Sequence, residues 1–227
     1  MKINHFKILT LSVLSMVGIT SCTNLEIEQT DSIISDGFQG LADPNSTVTN
    51  LYGSLGGQYA FIGNVFQQYN ANQLTASQIL DSRSNPTPSN IGDASFVRAW
   101  GMWIILDNYG QVPYRDTSLP STSVPEVLTG QAAVDFILAD LDQAITNAPS
   151  VAAASGEANG RASKAAARYL KAKVLLNKHI YIGGSPDSGD MAEVISLVDA
   201  ITAEGYALQE GFFELFLPDA DTETIWS

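Results

Sequence analysis

From residue 46 onward, apolar residues recur three and four positions apart, the spacing of one helix face. Val48, Leu51, Tyr52 and Leu55 predict a first helix, capped by Ser46 or Thr47 and stopped by Gly56-Gly57. A weakly patterned helix is predicted over Val65–Leu80, and the Asn85-Pro86-Thr87-Pro88-Ser89-Asn90 run reads as a break. A third helix is predicted over 93–107. Phe96, Val97, Trp100, Trp103 and Ile104 share one side and Met102, Ile105 and Leu106 make the other side apolar too, so it should be buried all round. Asn108-Tyr109-Gly110 stops it. Pro113, Pro120 and Pro125 then make 111–126 a long irregular connection.

The cleanest stripe is the fourth, over 131–147. Val134, Ile137, Leu138, Leu141 and Ile145 lie opposite Asp135, Asp142, Gln143 and Thr146, and Phe136 falls off the stripe toward another element. After a small-residue linker at 151–160, a fifth helix over 161–182 presents Ala162, Ala165, Ala166, Tyr169, Ala172 and Leu176. This is a face of mostly small side chains that lets helix axes approach closely. Arg161, Lys164, Arg168, Lys171, Lys173 and Lys178 concentrate here, over half of the chain's 11 basic residues. Of these, Lys173 is expected to point into the apolar stripe with its stem packed. The sixth helix, over 190–204, carries Val194, Leu197, Val198 and Ile201, with Asp190 and Glu193 spaced as a capping box and Gly205 as its stop. The fifth and sixth should form an antiparallel hairpin, the basic helix lying between two acidic ones. Period-two runs are scarce. The fold class is therefore all-α, with tetratricopeptide-like helical hairpins and irregular loops between them.

The first residues follow a different rule. Lys2 and Lys7 precede an apolar run over 8–19, too short for a permanent membrane span and patterned as a secretory leader. Ile19-Thr20-Ser21-Cys22 resembles the bacterial lipobox, which implies cleavage before Cys22 and lipidation of that residue. Several acyl chains, each buried CH₂ contributing roughly 0.8 kcal/mol, make a stable anchor. Cys22 is the single cysteine, so no disulfide framework exists within the chain. The predicted organisation is a signal peptide at 1–21, a tether at 22–45 and a helical domain at 46–227. The net charge of -13 argues against nucleic acid as a partner, because such a surface repels phosphate.

Several segments together resemble the SusD/RagB family. Phe96-Val97-Arg98-Ala99-Trp100-Gly101-Met102-Trp103 leads into Asp107-Asn108-Tyr109-Gly110-Gln111-Val112-Pro113-Tyr114, similar to the family's helix and Gly-x-Val-Pro loop. The segment starting Gly160-Arg161-Ala162-Ser163-Lys164-Ala165-Ala166 is similar to its small-residue helix. Gly205-Tyr206-Ala207-Leu208, Phe212-Phe213-Glu214-Leu215-Phe216 and Glu223-Thr224-Ile225-Trp226-Ser227 are similar to later segments, and Leu25-Glu26-Ile27 after Cys22 to the mature start. The resemblance implies a lipid-anchored protein on the outer face of the outer membrane. It implies a partner of the SusC class, a TonB-dependent transporter, to which oligosaccharide (peptide in some members) is delivered. Family members are about twice as long, so the resemblance also implies a domain incomplete at its C-terminus, and a truncated scaffold that keeps the transporter contact without binding ligand is the alternative. The stretch 53–90 contains no Trp where the family usually has one, so no ligand residue is carried across by match.

Residue by residue, the chemistry points to binding and not to an enzyme. His179 has no second histidine near it in the mature sequence and no cysteine to share a metal with. Asp140 and Asp142 project to different faces of a helix, unlike converging glycosidase carboxylates, and read as solvated charges. Pro186-Asp187-Ser188-Gly189-Asp190 lacks the ligand count of a calcium loop and reads as a turn leading into a helix. Gly56-Gly57 and Gly183-Gly184 lack phosphate-loop spacing. No cofactor is implied. Sugars stack on exposed aromatic rings ringed by polar groups. By that rule Tyr69 and Arg83, in the irregular region, are the weak ligand-binding candidates, whereas Trp100 and Trp103 read as core.

Overall fold

The computed structural model describes residues 38–56, 65–120, 122–153, 160–213 and 222–226. The predicted leader at 1–21, Cys22, the tether as far as residue 37, Gly57, the middle of the 151–160 linker, Glu214, Leu215, Phe216 and Ser227 lie outside the described residues.

Among the described residues the fold is six α-helices and one two-stranded sheet. The elements are α1 (Pro44–Gly56), α2 (Val65–Leu80), a 3₁₀ turn (Ser82–Ser84), α3 (Pro88–Tyr109), β1 (Gln111–Tyr114), β2 (Glu126–Thr129), α4 (Gly130–Asn147), α5 (Lys164–Ile182) and α6 (Ser188–Ala203). Each helix packs on the next in the chain, with lesser contacts between α1 and α3 and between α3 and α5. Successive helices run antiparallel. Arg98 of α3 meets Asp140 of α4 while Gly92 meets Ala148, and Lys178 of α5 meets Asp190 while Arg168 meets Glu204 beyond α6. The all-α hairpin architecture is the one expected.

Local chemistry moves several boundaries. The first helix starts at Pro44, not at Val48, because the Asp43 carboxylate accepts from Ser46 N at 3.2 Å and proline suits a first turn whose N–H has no partner. The Asn85–Asn90 stretch breaks only as far as Thr87. Thr87 then caps α3 in a reciprocal box with Asn90, and Pro88 is its first residue. On α6 the cap is Asp187, accepting from Gly189 N and Asp190 N, and not the predicted Asp190–Glu193 box; Asp190 instead pairs with Lys178 at 3.0 Å. The connection at 111–126 is less irregular than its prolines suggest. Its ends form an antiparallel pair, Gln111 opposite Thr129 and Tyr114 opposite Glu126. Pro113 is tolerated because a two-stranded sheet is all edge.

Helix α3 is the centre of the core, as its all-round apolar pattern predicts. Phe96, Val97, Met102, Ile105 and Leu106 are fully buried against Val48 and Leu51 of α1, Ile79 of α2 and Ile137 and Leu141 of α4. Phe136 leaves its own stripe to meet Tyr114 of β1, ring centroids 4.8 Å apart. On α5 the buried side is Ala166, Ala167, Leu170, Lys171 and Val174, while Tyr169 and Leu176, expected on the packed face, are exposed. Lys173 does not enter the stripe either; it is exposed and lays its amine 4.6 Å from the Trp103 ring centroid. The lysine that goes in is Lys171, whose amine reaches Asp142 of α4 and Glu193 of α6, each at 2.6 Å. One basic helix between two acidic neighbours is thereby joined to both.

A second polar tie crosses the whole domain. Tyr52 of α1 donates to Asp93 of α3 at 2.9 Å and accepts from Ala162 N at 2.9 Å, and Arg161 closes on the same buried Asp93. Burial, reinforced by the Asp93 charge, pushes the Tyr52 hydroxyl well above the usual phenol range, so it stays a neutral donor. Tyr52→Phe orphans both the Ala162 N–H and one Asp93 oxygen. We expect it to lower unfolding free energy by about 1–3 kcal/mol, read as a shift in urea midpoint with an unchanged slope.

Candidate functional site

A groove of about 710 Å³ opens where α3, α5, α6 and the C-terminal segments meet. Its floor is Phe96 and Trp100 of α3; Tyr169 and Leu170 of α5 and Val198 and Ile201 of α6 form its walls. These helices are brought together by the small face of α5, where Ala165 and Ala166 are buried beneath Ile201 and the core. The segment 222–226 closes one end. Trp226 seats edge-on against Phe96 (5.0 Å, 85°) and Trp100 (4.9 Å, 76°), the geometry favoured by ring quadrupoles. Thr202, Glu223 and Thr224 supply the polar atoms of the lining, and burial pushes the Tyr206 hydroxyl above its ordinary value. The Tyr169 ring is half exposed at the rim. Chemically, the groove offers aromatic faces with a few hydrogen-bonding groups beside them, a lining that suits a ring-bearing ligand.

The structure separates the residues singled out from sequence. Tyr69 is 5% exposed, part of the core beside Gly101, so it offers no face to a sugar and the expectation of a surface tyrosine there is corrected. Arg83 does lie at the surface. Its guanidinium is engaged by Asp81, by the carbonyls of Thr117 and Phe38, and by the Phe38 ring at 5.1 Å. Tyr69 and Arg83 do not converge on one site. Cys22 lies outside the described residues. Trp103 is core, but Trp100, also expected there, is only half-buried and faces the groove.

Asp140 and Asp142 do diverge, toward α3 and α5, but Asp140 is not solvated. It is buried in a two-pronged pair with Arg98, 2.7 Å on each prong. The Pro186–Asp190 turn serves as the α6 cap. His179 is half-buried, its Nδ1 without a partner among the described residues. Among the described residues no three His, Cys, Asp or Glu side chains gather as a metal site. Asp81, Asp93, Asp140, Asp142, Asp190, Glu193 and Glu204 are each committed to an ion pair.

No family model matches the chain, and no curated protein does. Solved structures do match. One is a SusD-like protein from Bacteroides fragilis NCTC 9343, at 24% identity over 66% of this chain and 28% of that one, with a TM-score of 0.53. A second, solved with a xylogluco-oligosaccharide, is 22% identical over 78% of this chain and 35% of that one, with a TM-score of 0.54. A third is 22% identical over 74% and 32%, with a TM-score of 0.51.

The fold is SusD-like.

The chain spans about a third of the length of these structures. The segments that carried the SusD/RagB resemblance occupy structural positions. The Phe96–Trp103 run is the central helix, Gln111-Val112-Pro113-Tyr114 is β1, and Ile225-Trp226 plugs the groove. Sequence reasoning singles out neither Tyr169 nor Trp226 as a site residue, and both line the groove. The signal at Tyr169 is a tyrosine among alanines on a helix otherwise kept small, and it reads equally as packing.

Proposed function

We propose that this protein is a lipid-anchored, surface-facing glycan-binding subunit of the SusD/RagB class that passes oligosaccharide to a SusC-like TonB-dependent transporter. The observation that carries this reading is the SusD-like helical fold, shared with a structure solved with a xylogluco-oligosaccharide. The leader and Cys22 support outer-membrane anchorage through lipid. Among the described residues no helix is long and apolar enough to cross a membrane. The protein binds and does not catalyse. Its buried carboxylates are spent on ion pairs, and the aromatic groove on α3, α5 and α6 is the candidate ligand surface, with the Tyr169 ring as its stacking platform.

Titration calorimetry with xyloglucan oligosaccharides tests this. Saturable binding is expected, weakened about tenfold by Tyr169→Ala, the worth of one stacked ring. Binding that ignores Tyr169→Ala would move the site off the groove. Absence of binding across a panel of oligosaccharides would favour a second reading, a scaffold that keeps transporter contact without holding sugar. The predominance of apolar side chains in the groove lining supports that second reading.

A further inference from the structure

The Asp81–Arg83 corner holds together three segments far apart in sequence. The 3₁₀ turn Ser82–Ser84 is capped by Asp81, which accepts from Arg83 N at 2.9 Å and Arg83 Nε at 2.8 Å, and it ends at Asn85 in the left-handed region. The chain leading into α1 lies on this turn. Leu41 N donates to Ser84 Oγ at 2.9 Å, Arg83 Nη1 donates to the Phe38 carbonyl, and the guanidinium stands over the Phe38 ring. The fit is close. Gly40 sits at φ +100°, and a Cβ there would run into the Arg83 carbonyl. From the other side comes the β1–β2 loop. Thr117 Oγ1 donates to Asp81 at 2.6 Å, and Arg83 Nη2 donates to the Thr117 carbonyl at 2.7 Å. Ser84 Oγ, which receives the strap, itself donates to Gln78 O at 2.6 Å, tying the assembly to α2.

We infer that Arg83 is a mechanical joint: residues 38–41 form a strap clamped by its guanidinium, and the same guanidinium couples the strap to the β1–β2 loop. Residues 38–41, which fall inside the predicted tether at 22–45, therefore already belong to the domain. A pull on the N-terminal chain acts on the 3₁₀ turn and the loop before it reaches α1. Reciprocity follows, since two segments sharing one clamp each stabilise the other. The use of the joint rests on the anchored-protein reading. Its existence does not, because strap and loop belong to the described residues whatever happens at Cys22.

Hydrogen exchange on the whole protein, followed by NMR, tests the coupling. The amides to follow are Leu41 on the strap and Ser118 and Leu119 on the loop, the latter two bonded to Asp116. Arg83→Met is expected to speed all three by about tenfold together. Gly40→Val, which forces the strap off the Arg83 carbonyl while leaving every side chain of the clamp in place, is expected to speed Leu41 by a similar factor and the loop amides by about threefold or more. Unchanged exchange in α3 shows that both variants are folded. Loop amides that keep wild-type rates in Gly40→Val, or an Arg83→Met variant that frees one segment and not the other, would overturn the inference. Loss of lipidation would not alter these rates, so failure of the anchor reading is seen separately.

Discussion

Arg98→Met is expected to remove about 3–5 kcal/mol of unfolding free energy, most of it from what it leaves behind. The Arg98 guanidinium lies between α2, α3 and α4, giving two hydrogen bonds to Asp140 at 2.7 Å and one to Ser77 Oγ at 3.1 Å, and covering the Phe136 ring at 4.9 Å. Burial pushes the Asp140 carboxyl up, and the Arg98 charge pulls it back. Burial works against the Arg98 charge too, but Asp140 holds it protonated. With the cation removed, Asp140 sits in the core as an unpaired anion or must take up a proton. The sign with pH follows. A folded-state carboxyl raised above its unfolded value of about 3.9 destabilises fully above its folded pKa, and the penalty fades as pH falls through that value. The variant's deficit relative to wild type is therefore largest at neutral pH and shrinks toward pH 4. The companion Arg98→Met/Asp140→Leu removes both charges and should recover most of the loss, because an apolar pair of similar volume is nearly neutral. Urea titrations of the three proteins at pH 7 and pH 5 check this. A single variant within about 1 kcal/mol of wild type, with no pH dependence, would mean that Asp140 finds water in the native state.

Asp140 also shows why part of this molecule was legible in its sequence and part was not. Helix periodicity is set by which side of a backbone is dry, and α1, α3 and α4 follow their predicted patterns closely, whereas α5 and α6 leave Tyr169, Leu176 and Val198 exposed; Val65–Leu80 emerges with its expected bounds from a weak pattern. Periodicity assigns a polar residue to the wet side by default. It cannot know that Arg98, forty-two positions away, brings its own counter-charge into the core. Lys171 and Lys173 make the same point. They stand two residues apart on one helix, and the choice of which is buried was made by Asp142 and Glu193 on the neighbouring helices. The helix starts at Pro44, Pro88 and Ser188 turn on single side chains, Asp43, Thr87 and Asp187, whose competing partners lie within a few residues.

The candidate site was less legible still, because a groove is a relation among elements and no single segment encodes it. Tyr69, on a weakly patterned helix, could be read as surface. Its burial depends on Gly101, the one position on α3 where the absence of a side chain lets α2 come close. Trp100 was read as core from its stripe. Its half-exposure toward α5 follows from alanines on the opposite helix, which leave space where larger residues would have closed it.

Phe96→Ala joins core and groove in one measurement. Phe96 is 1% exposed on the central helix, and its ring supports Trp226 from below and stacks at 6.3 Å on Trp100. Truncation loses transfer free energy, leaves a cavity that α3, held on several sides, cannot close, and costs about 3–5 kcal/mol. It also removes aromatic contacts worth about 0.5–1.5 kcal/mol each, so Trp226 loses its seat. The chain has 3 tryptophans, all in this region, and the native emission of the variant should shift to longer wavelength as Trp226 meets water. Trp226→Ala separates the two roles. Trp226 is only half-buried and belongs to a short segment with no helix of its own, so its removal should cost under about 1.5 kcal/mol while opening the same end of the groove. If Trp226→Ala cost as much as Phe96→Ala, the C-terminal segment would be a structural member of the core. The groove would then be a seam between packed elements and not a surface open to a ligand. The expected inequality, a large loss at the floor and a small one at the plug, is what a pre-formed groove with a separable occupant requires.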